Sequence, residues 1–487
     1  MRSRGSLISS LMTHLSPLTA AVLLSLPGAA WAAGPYLTDL EAVGMGQAGA
    51  FVASPNTLSA FWYNPAALAG QGGLRMQLEG GLHLTNNRYQ RAPNPDTGQE
   101  YLLVTNLSPL KPAFFGAVTY DFGVQDLAVG VAVYSPTSGN YQFPANGPQR
   151  YQAVGADSIA LHMHVGVAYR IFSWLSLGVT FGNTYLQTEQ KIALTASPGD
   201  PEDRNFSVPF TTNVTDPFTI TSNFGVRVEP IKQLAIGLSI MPPYDINATG
   251  TASVEIPEAL ASQVTLNGNK FGLNASFPMI LRAGVRYRPL ERLSVEGAFV
   301  WEQWSRNKAV DLIPDGITVN FPGVADNLAI PTIVLPKQNR DAFSARLGIE
   351  GRPHDIVTLR GGIFYESGAT KPQLYDLTAP DGHKVGIAAG VSIHLWKFSI
   401  DAAYVHVFAP QLTVTDTETT TIQVLPTGTP GLVGNGNYNF STDMFHLGIR
   451  ATFFDGPRTP ASEPVQVSSA SAPASDVASA PSSTPSL

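Results

Sequence analysis

From residue 73 onward the chain runs in alternation, an apolar side chain and then a small, polar or charged one, in stretch after stretch. In "LRAGVRYRPLERLSVEGAFVWEQWS" (281–305), Leu281, Ala283, Val285 and Tyr287 alternate with Arg282, Gly284, Arg286 and Arg288. After Pro289-Leu290-Glu291-Arg292 the pattern resumes, with Leu293, Val295, Gly297, Phe299 and Trp301 opposite Ser294, Glu296, Ala298, Val300 and Glu302. A period of two places successive side chains on opposite faces of a strand. Read this way, the chain predicts strands at 73–89, 113–122, 127–143, 151–171, 174–194, 216–229 and 233–254, and again at 275–288, 292–310, 341–352, 355–367, 382–394, 396–409 and 437–454. Tight connections (121–126, 172–173, 230–232, 289–291, 353–354 and the corner at Leu395) alternate strictly with long ones.

Fourteen strands, with short turns at one end and long loops at the other, match the plan of an outer-membrane barrel. A soluble sandwich would bury one face of each strand against a second sheet, where arginines are hard to satisfy. In a membrane barrel lipid takes the apolar face and the lumen takes the charges, while closure pairs every edge. Arg282, Arg286 and Arg288 then point inward, as do Arg346, Arg360 and Arg450 on later strands. Aromatics near strand ends (Tyr169, Trp174, Tyr287, Trp301, Trp304, Trp396, Phe453) fit interfacial girdles. Composition agrees: 13% of residues are charged, against roughly 25% in soluble proteins. Outside the N-terminus no apolar run is long enough for a helical span. The net charge of −7, with basic residues dispersed, gives no footprint for nucleic acid.

The two ends differ from the middle. Arg2, Arg4, the apolar run 18–26 and Ala30-Trp31-Ala32 read as an export signal over 1–32. Residues 455–487, dominated by Ser, Ala and Pro, read as a disordered tail. No cysteine is present, so disulfides and thiol chemistry are excluded. The segment 33–72 is not strand-like. Ser54-Pro55 reads as a helix start running through Leu58 and Phe61, with Asn64-Pro65 ending it. A compact apolar piece ahead of a barrel is expected either inside the lumen as a plug, or as a periplasmic extension.

The stretch "FWYNPAALAG" (61–70), following "GMGQAGAFVA", resembles the hatch of the FadL-type outer-membrane transporters of long-chain fatty acids, with its Asn-Pro-Ala signature at Asn64, Pro65 and Ala66. "FVWEQWS" (299–305), the stretch 341–369 and the stretch 384–408 are similar to later strands of that family, in order. The resemblance implies an all-β, fourteen-stranded antiparallel transmembrane barrel plugged by an N-terminal, partly helical hatch. It also implies a monomer in the outer membrane of a Gram-negative bacterium with both termini periplasmic, inserted by the barrel assembly machinery and in contact with outer-membrane lipid. The implied activity is passive uptake of hydrophobic molecules, long-chain fatty acids first and aromatic hydrocarbons as the alternative within the same fold. A hydrophilic diffusion porin is the reading from outside the family. Members often end on an aromatic, whereas here Phe453-Phe454 is followed by the tail.

No enzyme constellation, cofactor motif or metal set stands out. His162 and His164 share an inward face but lack a third ligand. The inward arginines have two readings, a cross-strand ion network that also holds the hatch, or a bidentate grip on a ligand carboxylate. Arg282 and Arg346, farthest from the tight turns, are the first ligand candidates, with Arg286 and Arg360 behind them. The loop at 315–336 and "IPEALASQVTL" (256–266), the latter read as a short helix from Pro257, are apolar enough for a capture surface. Pro136, Pro242 and Pro243 interrupt strands, either opening the wall for lateral exit or marking the end of each membrane span.

Overall fold

The alternating runs form fourteen antiparallel strands in one closed sheet. They are β1 (Leu74–Arg91), β2 (Leu110–Tyr120), β3 (Leu127–Tyr134, resuming as Ser138–Gln142), β4 (Gly155–Phe172), β5 (Leu175–Thr195), β6 (Ser207–Ile231) and β7 (Leu234–Met241, resuming as Tyr244–Val254). Then come β8 (Lys270–Phe277, resuming as Ile280–Leu290), β9 (Leu293–Glu302, continued by Ala309–Asp315), β10 (Ala342–His354), β11 (Val357–Glu366), β12 (Lys384–Leu395), β13 (Phe398–Phe408) and β14 (Gly436–Phe453). The last strand pairs with the first along its whole length, from Leu74 opposite Phe453 to Arg91 opposite Gly436, so no edge is left open. The computed structural model describes residues 40–95, 97–136, 138–322, 325–378, 381–424 and 430–454. The export signal read at 1–32 and the tail read at 455–487 lie outside the described residues.

The wall is turned inside out relative to a soluble sheet. Leu281, Val285, Tyr287, Phe299, Leu347 and Ile349 are exposed on the outer circumference, while Arg282, Glu296, Arg346 and Arg360 are buried within. Tyr169, Trp174 and Trp396 stand exposed near the tight turns, as a girdle requires. Trp304 does not join them. The ninth strand breaks at a 3-10 turn (Trp304–Arg306) that swings this ring into the lumen, where its Nε1 donates to Glu302 at 2.7 Å.

Three further departures have local causes. The sixth strand starts at Ser207 rather than 216, because Val208, Phe210, Thr212 and Val214 keep the inward alternation through a stretch whose prolines and asparagine read as loop. The residues around Pro257 form consecutive turns, with Leu260 N bonded to Pro257 O and Val264 N to Leu260 O, rather than a helix. Both Leu260 and Val264 are buried, and that burial holds the segment down. The apolar loop 315–336 contains a hairpin (Thr318–Phe321 with Ala325–Ala329) that pairs with Thr265–Asn267.

Proline interrupts the wall at three places. β3 breaks around Pro136, β7 breaks at Pro242-Pro243, and β8 breaks directly opposite, at Pro278-Met279. The ladder between β6 and β7 is open over a longer span. It pairs Phe224 with Ile240 and Thr215 with Thr249, but residues 216–223 have no ladder partner on β7. Across it Asn247 N donates to the Asp216 carboxylate at 2.8 Å and the Thr219 hydroxyl to Asp245 O at 3.4 Å.

Candidate ligand path

The segment from residue 40 to residue 69 lies inside the ring and is buried almost throughout. Helix α1 (Ala42–Gly46) is capped by Glu41, whose carboxylate accepts from Gly44 N at 2.7 Å and Val43 N at 3.0 Å. Helix α2 (Ala60–Tyr63) starts after Ser59, not at Ser54-Pro55. The backbone at 52–54 does not coil because the barrel wall takes up its hydrogen-bonding groups. Val52 N and Ala53 N donate to the buried Glu296 carboxylate at 2.5 and 2.7 Å, and Ala53 O accepts from Arg227 at 2.9 Å. Asn64 ties the end of α2 to both neighbours: its amide donates to Val52 O (2.9 Å) and to Val226 O on the wall (3.1 Å), and its oxygen caps Ala66 N (3.1 Å). Pro65 then opens a 3-10 turn (Pro65–Leu68). Gly178 and Gly225 make room for this corner, since a Cβ on either would lie within 2.3 Å of an atom of Pro65 or Asn64.

The inward arginines divide by what they touch. Arg346 donates to Ala48 O and to Glu366, each at 3.1 Å. Arg360 is bound to Glu350 at 2.8 Å and to Ser392. Arg286 reaches Glu350 at 3.4 Å and Ser294 at 3.0 Å. Arg450 pairs with Asp401 at 2.6 Å. Arg282 differs from all of these. It is 2% exposed, its guanidinium lies 4.5 Å from the centre of the Trp62 ring, and both terminal nitrogens have no hydrogen-bond partner among the described residues. Stacking on a desolvated indole contributes about 2 kcal/mol, less than the several kcal/mol it costs to bury an unpaired charge. His162 and His164 sit nearby in a polar network, with Thr184, Tyr134 and Thr221 as partners at 2.9 to 3.2 Å.

Above the plug, at the long-loop end, is a chamber of about 330 Å³. One side is apolar, formed by Phe210, Leu273, Phe277, Trp304, Leu312 and Ile333, and the other carries Lys337, Asp376 and the threonines at 419–421. Phe210 and Ile333 also line a wholly apolar groove of about 60 Å³, to which Ile256, Leu260, Val264 and Val319 contribute. The two loops that the sequence marked as apolar therefore meet in one groove, which adjoins the chamber. Lys337 binds Asp376 at 2.8 Å on the chamber rim. Burial works against the Asp376 carboxylate, but Lys337 and Thr378 outweigh it and hold its pKa below the usual carboxylate value. This rim contact is thus fully formed at neutral pH and is lost only as pH falls through that lowered value. Below the chamber, aromatic rings lead inward. Phe277 stacks on Tyr244 at 4.8 Å, Tyr244 lies 6.3 Å from His162, His162 stacks on Tyr134 at 5.3 Å, and Tyr134 lies 6.0 Å from Trp62 over Arg282.

This barrel has known counterparts. Residues 23–453 match the family model described as outer membrane protein transport protein (OMPP1/FadL/TodX). The chain belongs to this family. No curated protein matches it in sequence. Among solved structures it is similar to a FadL homologue of Pseudomonas aeruginosa (16% identity, TM-score 0.72, covering 88% of this chain and all of that one). It is also similar to the Ralstonia pickettii toluene transporter TbuX (16%, 0.61, 86% and 99%) and the Pseudomonas putida toluene transporter TodX (13%, 0.63, 86% and 100%). Membership makes the chain an outer-membrane transporter of hydrophobic compounds.

Four elements of the path escaped sequence reasoning: Glu296 as the clasp on the plug, Phe210 in the groove, Trp304 in the chamber, and Trp62 over Arg282. For Phe210 a signal was available, because Val208, Phe210, Thr212 and Val214 already alternate.

Proposed function

We propose that the transported molecule is a long-chain fatty acid and that Arg282 receives its carboxylate. One observation carries this reading: a buried guanidinium whose two terminal nitrogens have no hydrogen-bond partner among the described residues ends an aromatic path that starts at the apolar side of the chamber. A neutral aromatic hydrocarbon gains at most a cation–π contact from such a group, whereas a carboxylate would supply two charge-assisted hydrogen bonds. The acyl chain is captured in the groove lined by Leu260 and Val319, with apolar burial contributing about 25 cal/mol per Å². It then enters the chamber, and a shift of the plug around Asn64, Pro65 and Ala66 opens the way to Arg282. Arg346, Arg286 and Arg360 serve the ion network and the seating of the plug. The test is uptake of labelled oleate against toluene in a deletion strain carrying this gene. Rescue of oleate uptake supports the reading, and rescue by toluene alone would move the chain to the hydrocarbon carriers.

Release follows the open ladder between β6 and β7. Residues 216–223 have no ladder partner on β7 opposite Pro242-Pro243, and Phe218 and Ile220 stand exposed on the lipid side of the same stretch. Restoring the missing backbone donors with Pro242→Val and Pro243→Thr should extend the ladder and slow oleate uptake severalfold with ligand binding unchanged. If Pro136→Val slows uptake and the double variant does not, the exit is at the third strand.

A further inference from the structure

Beneath the plug, at the tight-turn end, lies another cavity of about 490 Å³ that the hydrophobic path does not use. Its roof is the underside of the plug, including Ser54, Asn56 and Gln71. Nine arginines line it, against two acidic residues, Glu291 and Glu350. Adding the carboxylates that pair with those arginines from outside the lining (Asp126, Glu229, Asp355 and Asp401) leaves, among the described residues, nine guanidinium groups facing six carboxylates.

The arginines are not saturated by these pairs. A guanidinium has five N–H donors spread over three nitrogens. Arg227 engages Ala53 O through Nε and Glu229 through one terminal nitrogen. Arg450 spends Nε and one terminal nitrogen on Asp401, and Arg360 uses Nε on Glu350 and one terminal nitrogen on Ser392. The third nitrogen of each has no bond among the described residues and is not among the buried unsatisfied atoms, so it opens on the cavity. Arg288, exposed at the mouth, has no side-chain partner among them either. These donors come from β6, β8, β11 and β14, hence from separate parts of the ring.

Excess positive charge in a concave, low-dielectric recess focuses the field on its interior. Guanidinium donors match oxyanions in pairs. A single carboxylate engages one guanidinium, whereas donors spread around a ring suit a ligand with several charged oxygens. We propose that this vestibule is a binding site for a small multivalent oxyanion, of phosphate or polycarboxylate type, reached from the tight-turn end. The site stands on its own arginines and requires no assumption about the molecule that travels above the plug.

The experiment is calorimetric titration of the full-length protein in phosphatidylcholine nanodiscs with pyrophosphate and with citrate, acetate serving as the monovalent comparison. Saturable binding of pyrophosphate, of citrate or of both is expected, weakening as salt rises; which one binds identifies the oxyanion type. Arg288→Gln removes an unpaired group, so folding is retained, and it should weaken binding about tenfold, the loss of one charge-assisted contact. Arg360→Gln should weaken it at least as much. Absence of saturable binding for both multivalent anions, equal binding of acetate, or unchanged affinity in both variants would overturn the proposal.

Discussion

Gly178→Val should unseat the plug while leaving the barrel standing. A Cβ at this position would lie 2.3 Å from the Pro65 carbonyl carbon and 2.4 Å from Ala66 N. Both are backbone atoms, so no rotamer change relieves the contact. Gly225→Val meets the Asn64 oxygen at 2.1 Å and should act the same way. Overpacking of this kind costs about 1–3 kcal/mol, and each 1.4 kcal/mol moves a ratio of states about tenfold. The strand itself loses nothing, because a β-branched residue suits a pleated wall. The readout is conductance in planar bilayers, expected to rise sharply for both variants with barrel folding preserved. Gly80→Val is the control, since nothing lies within 4 Å of a Cβ there. Glu296→Ala approaches the plug from the other side by leaving Val52 N and Ala53 N without their acceptor, at about 1–3 kcal/mol per buried donor. It should raise conductance too. Parental conductance in all three plug variants would mean that the plug does not close the pore.

The wall was legible because lipid imposes one rule on every strand, and a period of two survives any local detail. Leu347 and Arg346 differ by a single position, and that alone sends one outward and the other inward. The rule fails where the chain leaves lipid. Above the membrane both faces of β6 meet protein or water, so Pro209 and Asn213 are tolerated in a strand that composition reads as loop. Trp304 fits an outward aromatic until a 3-10 turn, stabilised by its bond to Glu302, rotates it inward. The plug was harder still. Ser54-Pro55 has a sound local helix signal, overridden by Glu296 and Arg227 from strands more than a hundred residues away. Alternation also cannot tell one inward arginine from another. Arg282 and Arg346 have the same pattern around them, and only the through-space partners, Glu366 and Ala48 O for one and the Trp62 face for the other, separate their roles.

That separation makes a pair of opposed outcomes. Arg346→Ala breaks a buried pair, leaves Lys384 as the cation on Glu366, and takes the donor from the Ala48 carbonyl of the plug. Leaving a buried acceptor without its donor costs about 1–3 kcal/mol, so this variant should melt earlier and leak for every solute. Arg282→Ala removes a buried charge whose two terminal nitrogens have no hydrogen-bond partner among the described residues. The lost stacking on Trp62, about 2 kcal/mol, is offset by relief from burying that charge, several kcal/mol. Thermal stability should therefore stay at or above that of the parent. The function should change selectively instead. Hydrogen bonds to a charged partner contribute about 1.5–3 kcal/mol, so oleate affinity should fall about ten- to a hundredfold while binding of the neutral methyl ester holds. Arg282→Lys should recover only part of the loss, because an ammonium cannot grip a carboxylate in the planar bidentate manner. Equal losses for oleate and its methyl ester, with a lower melting temperature, would return Arg282 to a structural role beside Arg346. The carboxylate would then have to be held elsewhere, with Lys337 and Lys191 the two cations that line the chamber.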